Sequence, residues 1–178
     1  VELCLREAER RAAQLGDSER LGWALCHLSR ELLASGRNAA SREHAERALG
    51  IGESMGQGDL ASHASYRLAQ TDLSAGHYRE ARDRFTRILA AADADPCRMR
   101  NGRVVDLTIQ GRAWLGWALG ELGDFAEGVG WGREAIRRAE DHPDDPNSLG
   151  WACTGLAEIY RIQGDLAPAV ELLERVRE

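Results

Sequence analysis

The sequence predicts an all-α, right-handed superhelical solenoid of antiparallel helical hairpins, with about nine helices. Three observations carry that expectation. Gly36, Gly76, Gly123 and Gly164 each end an apolar-periodic stretch, and another stretch starts within a few residues. The text around them recurs, as in Leu119-Gly120-Glu121-Leu122-Gly123-Asp124-Phe125 and Ile159–Leu166, at spacings of 40, 47 and 41 residues. Each stretch carries one apolar face that needs a partner. A period of that size marks stacked helical hairpins sharing a continuous core.

The periodicity predicts helices over Glu2–Leu15, Ser18–Ser35, Asn38–Met55, Asp59–Ala75, Tyr78–Ala92, Val104–Leu122, Phe125–Glu140, Ser148–Gln163 and Ala167–Arg177. Gly16 stops the first, and Asp17 or Ser18 caps the second. Glycine at the later joints supplies the left-handed residue that ends a helix. Two connections are longer. Asp93–Arg103 holds Pro96 and Gly102; Asp141–Asn147 holds Pro143 and Pro146, read as residues that cannot continue a helix.

The first helix of each pair bears a stripe such as Leu25, Leu28, Ser29 and Leu32; Arg112, Leu115, Gly116 and Leu119; or Cys153, Leu156, Ala157 and Tyr160. The second helix answers with Ser41, Ala45 and Ala48; Ala81, Phe85 and Ile88; Gly128, Gly132 and Ala135; or Ala169, Leu173 and Val176. Facing stripes across a short turn make a helical hairpin. The whole chain, 1–178, thus reads as one array. Residues 1–16 are the second helix of a truncated repeat, and hairpins follow over 17–56, 57–95, 104–142 and 147–178.

Composition narrows the function. The net charge is −6 with acids and bases interleaved, so no basic patch points to nucleic acid. All 23 basic residues are Arg, which removes Lys-based Schiff chemistry and a P-loop lysine. That bias, with abundant Ala and Gly, fits a GC-rich, bacterial coding sequence. Cys4, Cys26, Cys97 and Cys153 show no paired spacing and read as buried reduced thiols, hence a cytoplasmic protein. No apolar run approaches the roughly 18 residues of a membrane span, and no signal peptide is read. The chain does not begin with Met and is expected to be a piece of something longer.

These residues resemble the tetratricopeptide repeat (TPR), whose pattern places Leu-Gly and Tyr in the first helix and Ala with an aromatic in the second. Leu115-Gly116, Leu119, Gly123-Asp124-Phe125 and Ala135 fit it, as do Leu156-Ala157, Tyr160, Gly164-Asp165-Leu166 and Ala169. The pair at Gly76 fits through Leu68-Ala69, Tyr78, Ala81 and Phe85, with Asp72 where an aromatic is usual. The pair at Gly36 departs most, with Ser29, Asn38 and Ser41 where Gly, an aromatic and Ala are usual. The stretch from Leu119 through Gly132-Arg133-Glu134-Ala135, His142-Pro143 and Trp151-Ala152-Cys153 resembles the C-terminal TPR region of bacterial signalling ATPases, including those with a class III cyclase domain. Related regions end regulators of the maltose-activator type. The resemblance implies a sensory or scaffolding arm, without the catalytic part.

A catalytic site finds no support. His27, His44, His63, His77 and His142 include no pair at i, i+4 with a third ligand nearby, so no metal is expected. Gly128-Val129-Gly130-Trp131-Gly132 looks like a phosphate loop but lacks a preceding strand; close helix packing, with Trp131 filling the space, is the reading. The chain is expected to be no enzyme and to need no cofactor.

A groove is the better candidate. In such a superhelix the first helix of each pair lines the concave face. The stripe beside its core reads Trp23, Cys26, Arg30, Leu33; His63, Tyr66, Gln70, Leu73; Gln110, Ala113, Trp117, Glu121; and Trp151, Thr154, Glu158, Arg161. Three-four-three spacing keeps each set on one face. Aromatic anchors beside Arg, Gln and Glu suit a peptide or partner domain. The competing reading packs these tryptophans as core, and Trp114 is expected inside. Without Lys or groove Asn, a carboxylate clamp of the eukaryotic kind is not expected, although Arg30 or Arg161 could hold an acidic group.

The implied function is a non-catalytic protein-interaction module of a bacterial signalling protein. The alternative is a small-molecule-sensing arm of a maltose-activator-type regulator. The ends are expected to self-associate weakly, because Leu5, Ala8, Ala12 and Leu15 at one end, and Ala169, Leu172, Leu173 and Val176 at the other, lack a cap.

Overall fold

A computed structural model describes residues 1–94, 103–143 and 145–176, with side chains at 103–106 excepted. Cys97 and the Pro96–Gly102 stretch therefore lie outside the described residues. Among those described, every regular element is an α-helix: α1 (Glu2–Leu15), α2 (Ser18–Ala34), α3 (Asn38–Ser54), α4 (Gly58–Ser74), α5 (Tyr78–Ala94), α6 (Arg103–Leu122), α7 (Phe125–Glu140), α8 (Pro146–Gln163) and α9 (Leu166–Arg175). The fold is an all-α helical repeat. The chain forms two compact units, Val1–His77 and Tyr78–Glu178.

The joints share one geometry. Gly16, Gly36, Gly56, Gly76, Gly123 and Gly164 all have positive φ, from 65° to 88°. After each, the next residue's N–H reaches the carbonyl five positions back, as in Arg37 to Leu32 (2.9 Å), His77 to Asp72 (2.8 Å) and Asp165 to Tyr160 (2.9 Å). This closing bond satisfies a helix-end carbonyl and turns the chain back. Asp17 is the residue that caps α2, accepting from the Arg20 N–H at 3.0 Å.

One proline corrects the sequence reading. Pro146 was expected to interrupt; instead it opens α8, with Asp145 as N-cap. The first helical position has no use for the missing N–H, so Pro fits there.

In the N-terminal unit, α2 packs on α3, α3 on α4, and α1 on α2. Leu25, Cys26, Ala48, Leu60 and Ala64 form the core, with Leu21, Trp23, Leu49 and Ile51 against it. α1 is only partly engaged. Ala12 is buried, but Ala8 is exposed and Leu15 is 76% exposed, so the expected apolar stripe of α1 packs through one part of its length. Arg37–Glu2 and Arg47–Glu9 ion pairs join α1 to the joint before α3 and to α3 itself.

In the C-terminal unit α6 packs on α5, α7 and α8, and α8 also packs on α7 and α9. Ile109, Ala113, Ala135, Ile136, Ala139, Ala152, Cys153, Leu156 and Ile159 make the core. Glycines let the helices approach closely. A Cβ on Gly116 would lie 2.7 Å from the Gly128 carbonyl oxygen, and one on Gly155 would lie 2.8 Å from the Ala113 Cβ. The Gly-Val-Gly-Trp-Gly run is thus a packing surface of α7, with Gly128 and Gly132 buried and Gly130 facing open space.

Arg112 sits in the apolar stripe but keeps its charge partnered. It is 2% exposed, donates to both Asp93 oxygens at 2.7 Å and to the Thr108 carbonyl at 3.0 Å, and lies 5.9 Å from the Trp131 ring centre. The cysteines divide. Cys26 and Cys153 are buried, and desolvation pushes the Cys26 thiol up to about 12 and raises Cys153. Cys4 is exposed, against expectation, because it lies on the face of α1 that packs on nothing described.

Candidate partner-binding face

In the N-terminal unit, the first-helix stripe divides between surface and core. Trp23 is half-buried and meets His63 edge-on, ring centres 5.0 Å apart. Arg30 is exposed beside Glu31 at 3.4 Å. Tyr66 is 1% exposed, and Cys26 and Leu73 are buried too, so these three stripe members belong to the interior. The Tyr66 hydroxyl accepts from Gln70 Nε2 at 3.2 Å. Arg67 completes this group: it donates to Gln70 Oε1 at 2.6 Å and lies 5.2 Å from the Tyr66 ring centre. The stripe missed Arg67 because it flanks the three-four-three positions.

Asp72, at the place of the usual aromatic, is also buried and pairs with Arg42, with the exposed His77 ring 3.9 Å away. An acid can replace a ring there because α3, the second helix of the preceding hairpin, offers it a cation.

The C-terminal unit gathers more of the expected residues. Trp117 is half-buried and donates its indole N–H to Glu121 at 3.0 Å, across one turn of α6. Tyr78, from the start of α5, also hydrogen-bonds Glu121; burial first, then the Glu121 charge, raises its phenol above the ordinary value. Trp114 is buried and lies between its neighbours, 5.5 Å from Trp117 and 5.6 Å from Trp151. Trp151 itself is 45% exposed. Three indoles thus run from the α6 turn out to the α8 surface. Further along α8, Thr154 returns its hydroxyl to the Gly150 carbonyl, and Arg161 bonds Glu158 at 2.7 Å. Glu158, and more weakly Glu121, hold the Arg161 guanidinium above its usual range. On α6, Gln110 is half-buried, while Ala113 is core.

Sequence reasoning missed Tyr78 as a contributor and placed Trp114 only as core. Tyr78 occupies the joint aromatic of the repeat pattern, which is the signal that could have found it. A separate open pocket of about 330 Å³ lies among α7, α8 and α9, lined by Arg133, Leu156, Tyr160, Pro168, Glu171, Leu172 and Arg175. Among the described residues, no group of three or more His, Cys, Asp or Glu side chains is placed to hold a metal. No helix described is long and apolar enough to cross a membrane.

The architecture has solved counterparts. BtubC (BKLC) from P. vanneervenii superposes with a TM-score of 0.71 at 19% identity, covering 97% of this chain and 69% of that one. A putative kinesin light chain from Podosopora anserina with nearly identical TPR-like repeats gives 0.62 at 18% identity, covering 98% and 92%. A second structure of that protein gives 0.60 at 18% identity. At such identities the likeness defines the class of fold, a TPR-like helical repeat. No family model matches the sequence, and no curated protein matches it either.

Proposed function

We propose that the chain is a non-catalytic interaction or scaffolding module of a larger bacterial signalling or regulatory protein, working in the cytoplasm as one repeat array. It binds a peptide or a partner domain on the face of its first helices. Trp151 is the observation that carries this reading. A large aromatic side chain left 45% exposed, with its inner edge fixed on a buried indole, is what a binding anchor requires. The TPR-like fold supports it, because such stacks present extended surfaces along their helices.

A display selection of random peptides on the intact chain tests the proposal. Selected peptides should bind the wild type and lose most of their affinity on Trp151→Ala with Trp117→Phe, while circular dichroism stays unchanged. Peptides that ignore both changes, or failure to select any sequence, would sink it.

The small-molecule alternative draws its support from the pocket among α7–α9. That pocket is lined by none of the residues of the first-helix groove stripe. A thermal-shift screen with sugars decides it: stabilisation lost on Arg133→Ala would favour the sensor reading. The proposal extends to weak end-to-end self-association, supported by the exposed Leu166, Val170, Leu173 and Val176 on α9 and its C-cap and Leu3 and Leu15 on α1. Strict monomers in light scattering at high concentration would count against it.

A further inference from the structure

We infer that the open pocket among α7, α8 and α9 takes a small zwitterion, a free amino acid with an apolar side chain. The pocket shares no residue with the partner-binding stripe, and the inference rests on the small-molecule reading of that pocket, to which it gives a ligand class. Three helices shape the space. α9 packs on α8, and the Arg175–Glu140 bond ties it to α7. Its volume, about 330 Å³, lies near the lower end of the range of small-ligand sites. Leu156, only 3% exposed, supplies an apolar lining together with Pro168 and the half-buried Leu172.

Two charges in the lining are uncompensated. Arg133, on the α7 side, donates to the Tyr160 phenol oxygen at 3.3 Å and makes no ion pair among the described residues. A phenol is neutral, so the guanidinium keeps its charge and most of its donors. The Tyr160 O–H, beside it, donates to nothing described. Guanidinium and phenol together suit a planar, singly charged, two-oxygen acceptor, which is a carboxylate. Glu171, on the α9 side, has no hydrogen bond or ion pair among the described residues. The two opposite charges thus line one pocket without pairing with each other. Arg175, the remaining cation of the lining, is matched by Glu140. A doubly charged phosphate would exceed the single charge of Arg133 and be repelled by Glu171. A simple carboxylate would leave Glu171 unmatched. An amino acid answers both, its carboxylate on Arg133 and Tyr160, its ammonium toward Glu171, and its side chain on Leu156 and Leu172.

The test uses the intact chain with L-leucine and L-phenylalanine and with the half-analogues of each. Isocaproate and phenylpropionate lack the amine; isoamylamine and phenethylamine lack the carboxylate. Maltose is the uncharged comparator. Methyl resonances of isotopically labelled protein locate the contact: the amino acid should move Leu156 and Leu172 and leave the Trp151 indole in place. Both kinds of half-analogue should bind at least about fivefold more weakly than the parent amino acid. Arg133→Gln should weaken the amino acid by about fivefold to tenfold and leave the amines unchanged. Glu171→Gln should weaken it by a similar factor and leave the carboxylates unchanged or tighter. Both residues are exposed, so the unliganded thermal midpoints should stay at the wild-type value. Carboxylates that bind as tightly as the amino acids overturn the zwitterion. Maltose binding that depends on Arg133 also overturns it and leaves the sensor reading standing. Absence of any Leu156 or Leu172 shift at about 20 mM of either amino acid overturns the site, while the display selection judges the partner-binding reading separately.

Discussion

Ser29 with Ser41 in the N-terminal unit and Gly116 with Gly128 in the C-terminal unit stand at matching places in their hairpins, and they join two helices by different chemistry. Ser41 Oγ donates to the Ser29 carbonyl at 2.9 Å and lies 3.0 Å from both the Ser29 and Thr71 hydroxyls, all of them buried. Thr71 donates in turn to the Arg67 carbonyl at 2.9 Å. That hydroxyl chain ties α2, α3 and α4 together by direction as well as by contact. At Gly116 and Gly128 there is no side chain at all, and each backbone oxygen occupies the space of the other residue's missing Cβ. The repeat position therefore demands small size and leaves polarity open. A hydroxyl is acceptable only where a neighbouring helix offers it a partner, because an unpaired buried polar group is costly.

That difference can be broken from either side. Gly116→Ala should be the most damaging single change. Its methyl meets backbone, which cannot swing away, so a loss of about 2–3 kcal/mol is expected in urea unfolding, net of alanine's better helix propensity. A loss below a few tenths would mean that α6 and α7 slide apart freely. Ser41→Ala removes the centre of the hydroxyl chain without adding bulk, and about 1–2 kcal/mol should be lost. A double-mutant cycle with Ser29→Ala should return a coupling of at least about 0.5 kcal/mol; strict additivity would show that the hydroxyls act independently.

Gly130→Ala sharpens the contrast by reversing its sign. The residue lies in the same helix as Gly128, but its added methyl meets nothing within 4 Å. Stability should rise by about 0.5–1 kcal/mol, visible as a higher thermal midpoint. The smallest effect concerns Glu134, on the outer side of that helix. Hydrogen bonds from Arg137, and then Arg138, lower its carboxyl to about 2. A depressed folded value means stability that is present above the ordinary value near 4.5 and lost as pH falls toward 2. Solvent screens the pairs, so Glu134→Gln should cost well under about 1 kcal/mol at neutral pH. The difference between mutant and wild type should vanish below about pH 2; a difference that persists there would assign the effect to packing.

Legibility followed the same division between local and tertiary causes. Helix ends were readable to within a few residues because glycine sets them through its own backbone freedom, independent of neighbours. Pro146 was misjudged because proline's meaning reverses at the first helical position, and only the Asp145 cap distinguishes the two. The candidate face was readable as a helix side, but not to the residue. Tyr66 and Trp151 obey one spacing rule, yet one is buried and the other exposed, since the neighbouring helix decides how wide the covered strip becomes. Asp72 and Arg112 were opaque for a related reason: their cost depends on Arg42 and Asp93, which only the fold brings near. Glu121 lies on the expected stripe, but its bond from Tyr78, supplied by another helix, follows from the fold and not from the spacing.

The joints carry one more consequence, and it concerns handedness. At six glycines the backbone adopts the mirror image of an ordinary helical turn, and all six are exposed. An L-alanine at Gly36 or Gly76 would be strained there whatever space surrounds it. A D-alanine would find that same backbone shape its natural one. In a chemically assembled chain, D-residues at these corners should rigidify the turn and restrict the unfolded ensemble, where glycine wanders most. The repeat is thus written in L-residues between corners that are, in stereochemical terms, D-sites filled by the one achiral amino acid.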